Sequence, residues 1–236
     1  MRVATQVARK HGENAKGASN PDGQLREQQM LEVAARLFKE RGYRGATLQD
    51  VADEIGLTRT AIYHYFSSKE QLLYRILEEA LKDAVARFEE IAGSDAPPEQ
   101  RMHRMVQEYI SLVIRHTPSW WVLLSDGEQN LPPRQYRRLH RFVRQQDSIM
   151  QKIFQEGIES GKFSRLNPKI AVFAISGMCN WLSRWYDPKG DVDPDTLAGI
   201  FMHILEHGYL APENQPFGAN AIRELGKTPL PELHTS

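Results

Sequence analysis

Two short helical segments that meet at Gly56-Leu57 constrain this chain more than any other feature. Thr47 and Asp50 form a capping pattern with Asp in place of Glu, and Leu48, Val51, Ala52 and Ile55 then recur at helical spacing. Gly56 ends the run, since glycine adopts the backbone that a tight turn requires, and Leu57 follows as an apolar plug between helices. Thr58 caps a second short helix, from Arg59 to about Phe66. Helices joined in this way make a helix-turn-helix, which sets the N-terminal residues of its second helix against base edges in the major groove. Here those residues are Thr58, Arg59 and Thr60. The forked arginine donor matches guanine O6 and N7, and threonine can meet a base edge or a thymine methyl. Tyr63, His64 and Tyr65 follow within a turn, and Lys69 starts the next helix. Hydroxyls, a helix N-terminus and lysine are typical phosphate anchors.

The remainder reads as helix throughout. From Leu25, the residues Met30, Leu31, Ala34, Leu37 and Phe38 fall at 3- and 4-residue steps, and Gly42 closes that helix. Ser67, three before Glu70, opens a long helix with Leu72, Leu73, Ile76, Leu77, Leu81 and Val85 on its apolar side, ending at Gly93. After a turn at Ser94–Pro98 a helix runs to about His116, where Pro118 breaks it, and Pro132-Pro133 opens another that reaches Gly161. Asn167-Pro168 and Asp193-Pro194 each place a capping residue before proline at the first helical position, starting two last helices that end near Tyr186 and Tyr209. With no strand pattern, repeat or heptad run, the expected fold is all-α with about nine helices. Residues 1–24 carry Arg2, Arg9, Lys10 and Lys16 against Glu13 and Asp22 without apolar periodicity, as a flexible basic arm that either idles or lies along DNA. Residues 211–236, with Pro212, Pro216, Pro229 and Pro231, read as a loose tail.

Composition narrows the class. No run approaches the ~20 apolar residues of a membrane helix, and the N-terminus has no signal-peptide core, so a cytoplasmic protein without a membrane partner is expected. A single cysteine, Cys179, excludes an internal disulfide. The 30 basic residues balance 30 acidic ones, so DNA binding must depend on where positive charge lies rather than on its total. Nothing matches a nucleophile elbow, a P-loop or a dinucleotide fingerprint, and neither a cofactor nor a catalytic residue is expected.

The spaced pattern Leu31-x-x-Ala34-x-x-Leu37-Phe38, Gly42-Tyr43, Thr47-Leu48-x-x-Val51-Ala52, Gly56-Leu57 and Ile62-Tyr63-x-Tyr65-Phe66-x-x-Lys69-Glu70-x-Leu72 resembles the DNA-binding domain of the TetR family of regulators. The likeness covers roughly residues 25–73. It implies a helix-turn-helix domain there, a ligand-sensing and dimerisation domain over 74–210, a homodimer, a near-palindromic double-stranded DNA operator and a small-molecule effector. It further implies phosphate roles for Thr47, Tyr63 and Lys69 and base-proximal roles for Thr58, Arg59, Thr60 and His64. Tyr65 stands where the family often has His or Lys, which leaves its role open; Phe66 reads as core.

The helix from Pro168 to Tyr186 is apolar nearly all round, so it must be covered on two faces, by its own domain and by either a second subunit or more of the same core. Ala171, Ala174 and Gly177 would let helices approach closely. A shorter segment, Gly177–Trp181 with Arg184-Trp185-Tyr186-Asp-Pro188-x-Gly190, resembles TetR regulators that answer to acyl-CoA thioesters. Trp120, Trp121, Phe173, Trp181, Trp185 and Tyr186 either line an apolar pocket, with Asn180 and Arg184 as polar guides, or simply pack. Arg134, Arg137, Arg138, Arg141 and Arg144 share one helix face with no carboxylate in the run, either as a solvated face or as a site for ligand phosphates or an acidic partner. Finally, His203-Ile-Leu-Glu206-His207 matches the inverted zinc-peptidase pattern and gives the enzyme alternative, a metal-dependent hydrolase. The other alternative is a helical ligand-binding protein without a DNA role. The hydrolase pattern has no evident third ligand, so a structural pair is the expected reading and no metal site is assigned.

Overall fold

The computed structural model describes residues 21–125 and 130–207, and among these it contains nine helices and no strand. They are α1 (Pro21–Gly45), α2 (Leu48–Glu54), α3 (Arg59–Tyr65), α4 (Lys69–Ala92), α5 (Pro98–Arg115), α6 (Thr117–Ser125), α7 (Pro133–Glu159), α8 (Pro168–Trp185) and α9 (Pro194–His207). Most of the basic arm and the tail expected at the two ends lie outside the described residues. The helix begins at Pro21 rather than at Leu25, so residues 21–24 belong to α1 and not to an arm. Leu25 itself is exposed, which is why apolar periodicity is silent over that first turn.

Local chemistry fixes the boundaries. Gly42 holds a left-handed φ of 71° and kinks α1, which resumes to Gly45. At α2 the Thr47 hydroxyl accepts from the Asp50 backbone N–H while the Asp50 carboxylate accepts from the Thr47 N–H, so the expected capping box is present. Past its end, Leu57 N–H donates to Ala52 O and Gly56 N–H to Asp53 O, with Gly56 at φ 69°. That pair of bonds satisfies the last carbonyls of α2 and sets the turn of the helix-turn-helix. The long helix α4 is capped by Ser68 rather than Ser67: Ser68 Oγ accepts from Gln71 N–H, while Ser67 donates to the Gln71 side chain. Asn167 and Asp193 cap α8 and α9 as their positions before proline suggest. Pro118 does not end helical structure; it sits in the first turn of α6, a helix the periodicity had not delimited.

Packing makes two bodies on one spine. Met30, Ala34, Leu37, Phe38, Val51, Ala52, Ile62, Phe66, Leu72 and Leu73 are buried where α1, α2, α3 and the start of α4 meet. Beyond this head α4 continues against α5, α6 and α7, α8 packs on α5, α6 and α7, and α9 lies on α5. Both α4 and α6 also pack on α1, so two helices tie the second body to the head.

Candidate nucleic-acid interface and ligand cavity

The head presents α3 outward. Thr58, Arg59, Thr60, Tyr63 and His64 are all exposed, while Ile62 and Phe66 face the core and Tyr65 packs half-buried against it. Tyr63 therefore does not serve as head packing; it is 44% exposed and stands beneath the Arg59 guanidinium, 5.8 Å from its ring centre. Thr58 Oγ1 accepts from Ala61 N–H, which leaves its hydroxyl proton available to donate.

Two expected phosphate anchors prove to be committed inside the chain. The Thr47 hydroxyl donates to Asp50 at 2.6 Å. Together with its N–H, and with Arg41 and Lys69 nearby, this holds the Asp50 carboxyl below the usual carboxylate range. Lys69 Nζ donates to the carbonyls of Tyr43 and Ala46 at 2.8 and 2.9 Å and lies 4.3 Å from the Tyr43 ring centre. It ties α4 to the last turn of α1 and to the link into α2, with one of its three donors left over.

In the second body, α4, α5, α6, α7 and α8 bound a cavity of about 360 Å³. Trp120 from α6 and Asn180 from α8 both line it. Trp120 Nε1 and the Tyr109 hydroxyl donate to Asn180 Oδ1 at 2.7 and 3.1 Å, so three helices are joined at one amide oxygen. Burial pushes the Tyr109 hydroxyl above its usual range. Replacing Asn180 by Ala leaves both donors without that acceptor. The expected cost is about 2 kcal/mol, read as a lower Tm.

The eight expected ligand residues thus divide. Only Trp120 and Asn180 reach this cavity. Tyr186 is buried, with its hydroxyl donating to the Val192 carbonyl, and it closes the turn after α8. Arg184 is exposed and stacks its guanidinium 4.1 Å from the Trp121 ring centre and 5.8 Å from that of Trp181. Phe173, Trp181 and Trp185 lie on the outer face of α8, Trp181 at 61% exposure. Sequence periodicity cannot tell which face of a helix apolar all round meets its own domain; Val172, Ile175, Cys179 and Leu182 are the inward ones. The rest of the lining, Tyr109, Tyr136, His140, Val143 and Gln146 with Leu81, Leu123 and Leu124, was not among the expected ligand residues. The one legible signal among them was Gln146, a polar residue in the inward stripe of α7 that otherwise holds Leu139, Met150, Ile153 and Gly157.

The arginine stripe is exposed, and it does find a carboxylate, one supplied by another helix. Arg138 meets Glu78 of α4 at 3.2 Å. Burial opposes ionisation of Glu78, yet the Tyr74 hydroxyl, Lys82 and Arg138 hold its carboxyl below the usual range. The His-x-x-Glu-His segment does not assemble a metal centre. Glu206 meets His103 Nδ1 of α5 at 3.1 Å, His203 and His207 stack on each other, and no group of three or more metal-binding side chains occurs among the described residues.

An exposed recognition helix on a capped helix-turn-helix, followed by a separate helical body with a cavity between its helices, defines a DNA-binding regulator with a sensor domain. Residues 30–76 match the tetR family of bacterial regulatory proteins and residues 95–209 a tetracyclin-repressor-like C-terminal domain. A TetR/AcrR-family regulator from Thermobifida fusca superimposes with a TM-score of 0.64 at 33% identity, covering 79% of this chain and 99% of its own. The repressor KstR2 of Mycobacterium tuberculosis is 29% identical over 182 residues, 76% of this chain and 90% of its own. The solved structure of KstR2, described as a ketosteroid transcriptional regulator, gives a TM-score of 0.71 at 25% identity over 76% and 92% of the two chains. AibR, solved with isovaleryl coenzyme A and operator DNA, shares the fold with a TM-score of 0.68 at 23% identity over 76% and 97%. The chain belongs to the TetR family of transcriptional regulators, which are not enzymes. No helix among the described residues is long and apolar enough to cross a membrane.

Proposed function

We propose that this protein is a homodimeric repressor that holds a near-palindromic operator and releases it when a small apolar effector, an acyl-CoA thioester, enters the cavity between α4 and α8. The observation that carries the reading is the double connection of that cavity to the head. Leu81 on α4 and Trp120, Leu123 and Leu124 on α6 form its walls, and both helices pack on α1. A ligand that fits one arrangement of these walls better than another shifts the head by the same free energy. Thr58, Arg59, Thr60, Tyr63 and His64 would meet the operator directly. Thr47 would act by fixing α2, and Lys69 by fixing the head while offering its remaining donor to phosphate.

Dimerisation is supported by an apolar surface that a single chain leaves open. On α8, Ile170, Phe173, Trp181 and Trp185 are exposed, and on α9 Ile200 and Ile204. Exposed apolar side chains at these positions fit an interface with a second subunit.

The acyl-CoA reading has three supports. One is the likeness of Gly177–Gly190 to acyl-CoA-responsive regulators. Another is AibR, solved with isovaleryl coenzyme A on the same fold. The third is the position of Arg137, Arg141 and Arg144, each one residue beyond a cavity-lining side chain of α7, where the arginine fork suits phosphates outside the cavity. Titration of acyl-CoAs of increasing chain length against a labelled operator duplex tests this. Thioesters should release DNA at concentrations where the matching free acids do not; release by free acids as effective as by thioesters overturns it.

A further inference from the structure

Gln146 is 4% exposed and lines the cavity, yet its Nε2 is buried without a hydrogen-bond partner among the described residues. It occupies a core position of α7, where an apolar side chain would cost nothing. The other cavity amide, Asn180, accepts from two donors at its oxygen. The remaining lining is aliphatic or aromatic, with the Tyr109 and Tyr136 hydroxyls and the His140 imidazole as its other polar groups, and contains no aspartate, glutamate, lysine or arginine. A buried N–H without an acceptor is a standing cost that an incoming oxygen relieves. A carboxylate could accept from that N–H, but it would also bring a full charge into a lining that offers no lysine or arginine to meet it. A neutral carbonyl supplies the acceptor and adds no charge.

We infer that Gln146 is the specificity-determining residue of this cavity, and that it selects a neutral carbonyl oxygen (thioester, ester or ketone) over a carboxylate. The inference rests on the reading of the cavity as the effector site. A volume of about 360 Å³ lies at the small end of ligand sites, so it takes the carbonyl and the carbons beside it and leaves any nucleotide outside.

Three probes of one size separate the possibilities: acetophenone, benzoate and ethylbenzene, titrated calorimetrically into the full chain at pH 8, where an imidazole of ordinary pKa is neutral. Acetophenone should bind at least tenfold more tightly than benzoate. The near-isosteric Gln146→Met should weaken acetophenone about tenfold, leave ethylbenzene unchanged, and raise the Tm of the unliganded protein. Equal binding of acetophenone and benzoate overturns the selection of a neutral carbonyl. Unchanged acetophenone affinity in Gln146→Met, or a lowered unliganded Tm, overturns the assignment of Gln146. In each of those cases ethylbenzene binding leaves the apolar sensor standing. Binding of none of the three overturns both the assignment and the sensor reading.

Discussion

Replacing Gly177 with leucine should turn the protein into a folded monomer that binds operator about 100- to 10,000-fold more weakly, the loss expected when two linked half-site contacts become one. Within a single chain nothing lies within 4 Å of a Cβ built on Gly177, and the residue is exposed on α8. The leucine is therefore accommodated by its own protomer and is felt only where a partner helix approaches. Analytical ultracentrifugation should report the monomer mass with unchanged helical circular dichroism. A persistent dimer of unchanged affinity would place the subunit seam away from Gly177.

The second large effect is the contrast between Lys69 and Arg59. Lys69→Met removes two charge-assisted hydrogen bonds, to the Tyr43 and Ala46 carbonyls, and a cation over the Tyr43 ring. The loss should be roughly 3 kcal/mol, seen as a lower Tm of the free protein and as weaker binding to all sequences alike. Arg59→Ala touches no buried group. It should leave the Tm unchanged, cost about 1–3 kcal/mol on operator and relax one base position. A lowered Tm for Arg59→Ala, or a changed sequence preference for Lys69→Met, would reverse the two roles.

What the sequence made legible, it made legible through local chemistry. The Thr47 box, the Thr58 cap, the turn at Gly56-Leu57 and the cap-proline pairs at Asn167 and Asp193 involve residues within five positions of each other, so their bonds can be read from spacing alone. Ser67 and Ser68 were both eligible to cap α4, and only the three-dimensional structure shows that the Gln71 N–H donates to Ser68 Oγ. The Lys69 bonds span 23 and 26 residues and have no local signature. The cavity is assembled from five helices, with Tyr109 and Asn180 71 residues apart, so no single motif could announce it. The aromatic residues of α8 were legible as excess apolar surface, but their sorting into an inner and an outer face depends on which neighbours α8 has in three dimensions.

Selection followed by footprinting tests sequence-specific DNA binding by α3 most directly. Genomic fragments captured on the purified protein at about physiological salt should share a near-palindrome with both half-sites protected, their centres ~34 Å or a multiple apart, and Arg59→Ala should lose that protection. Capture of unrelated fragments without a common footprint, unaffected by Arg59→Ala, would contradict it.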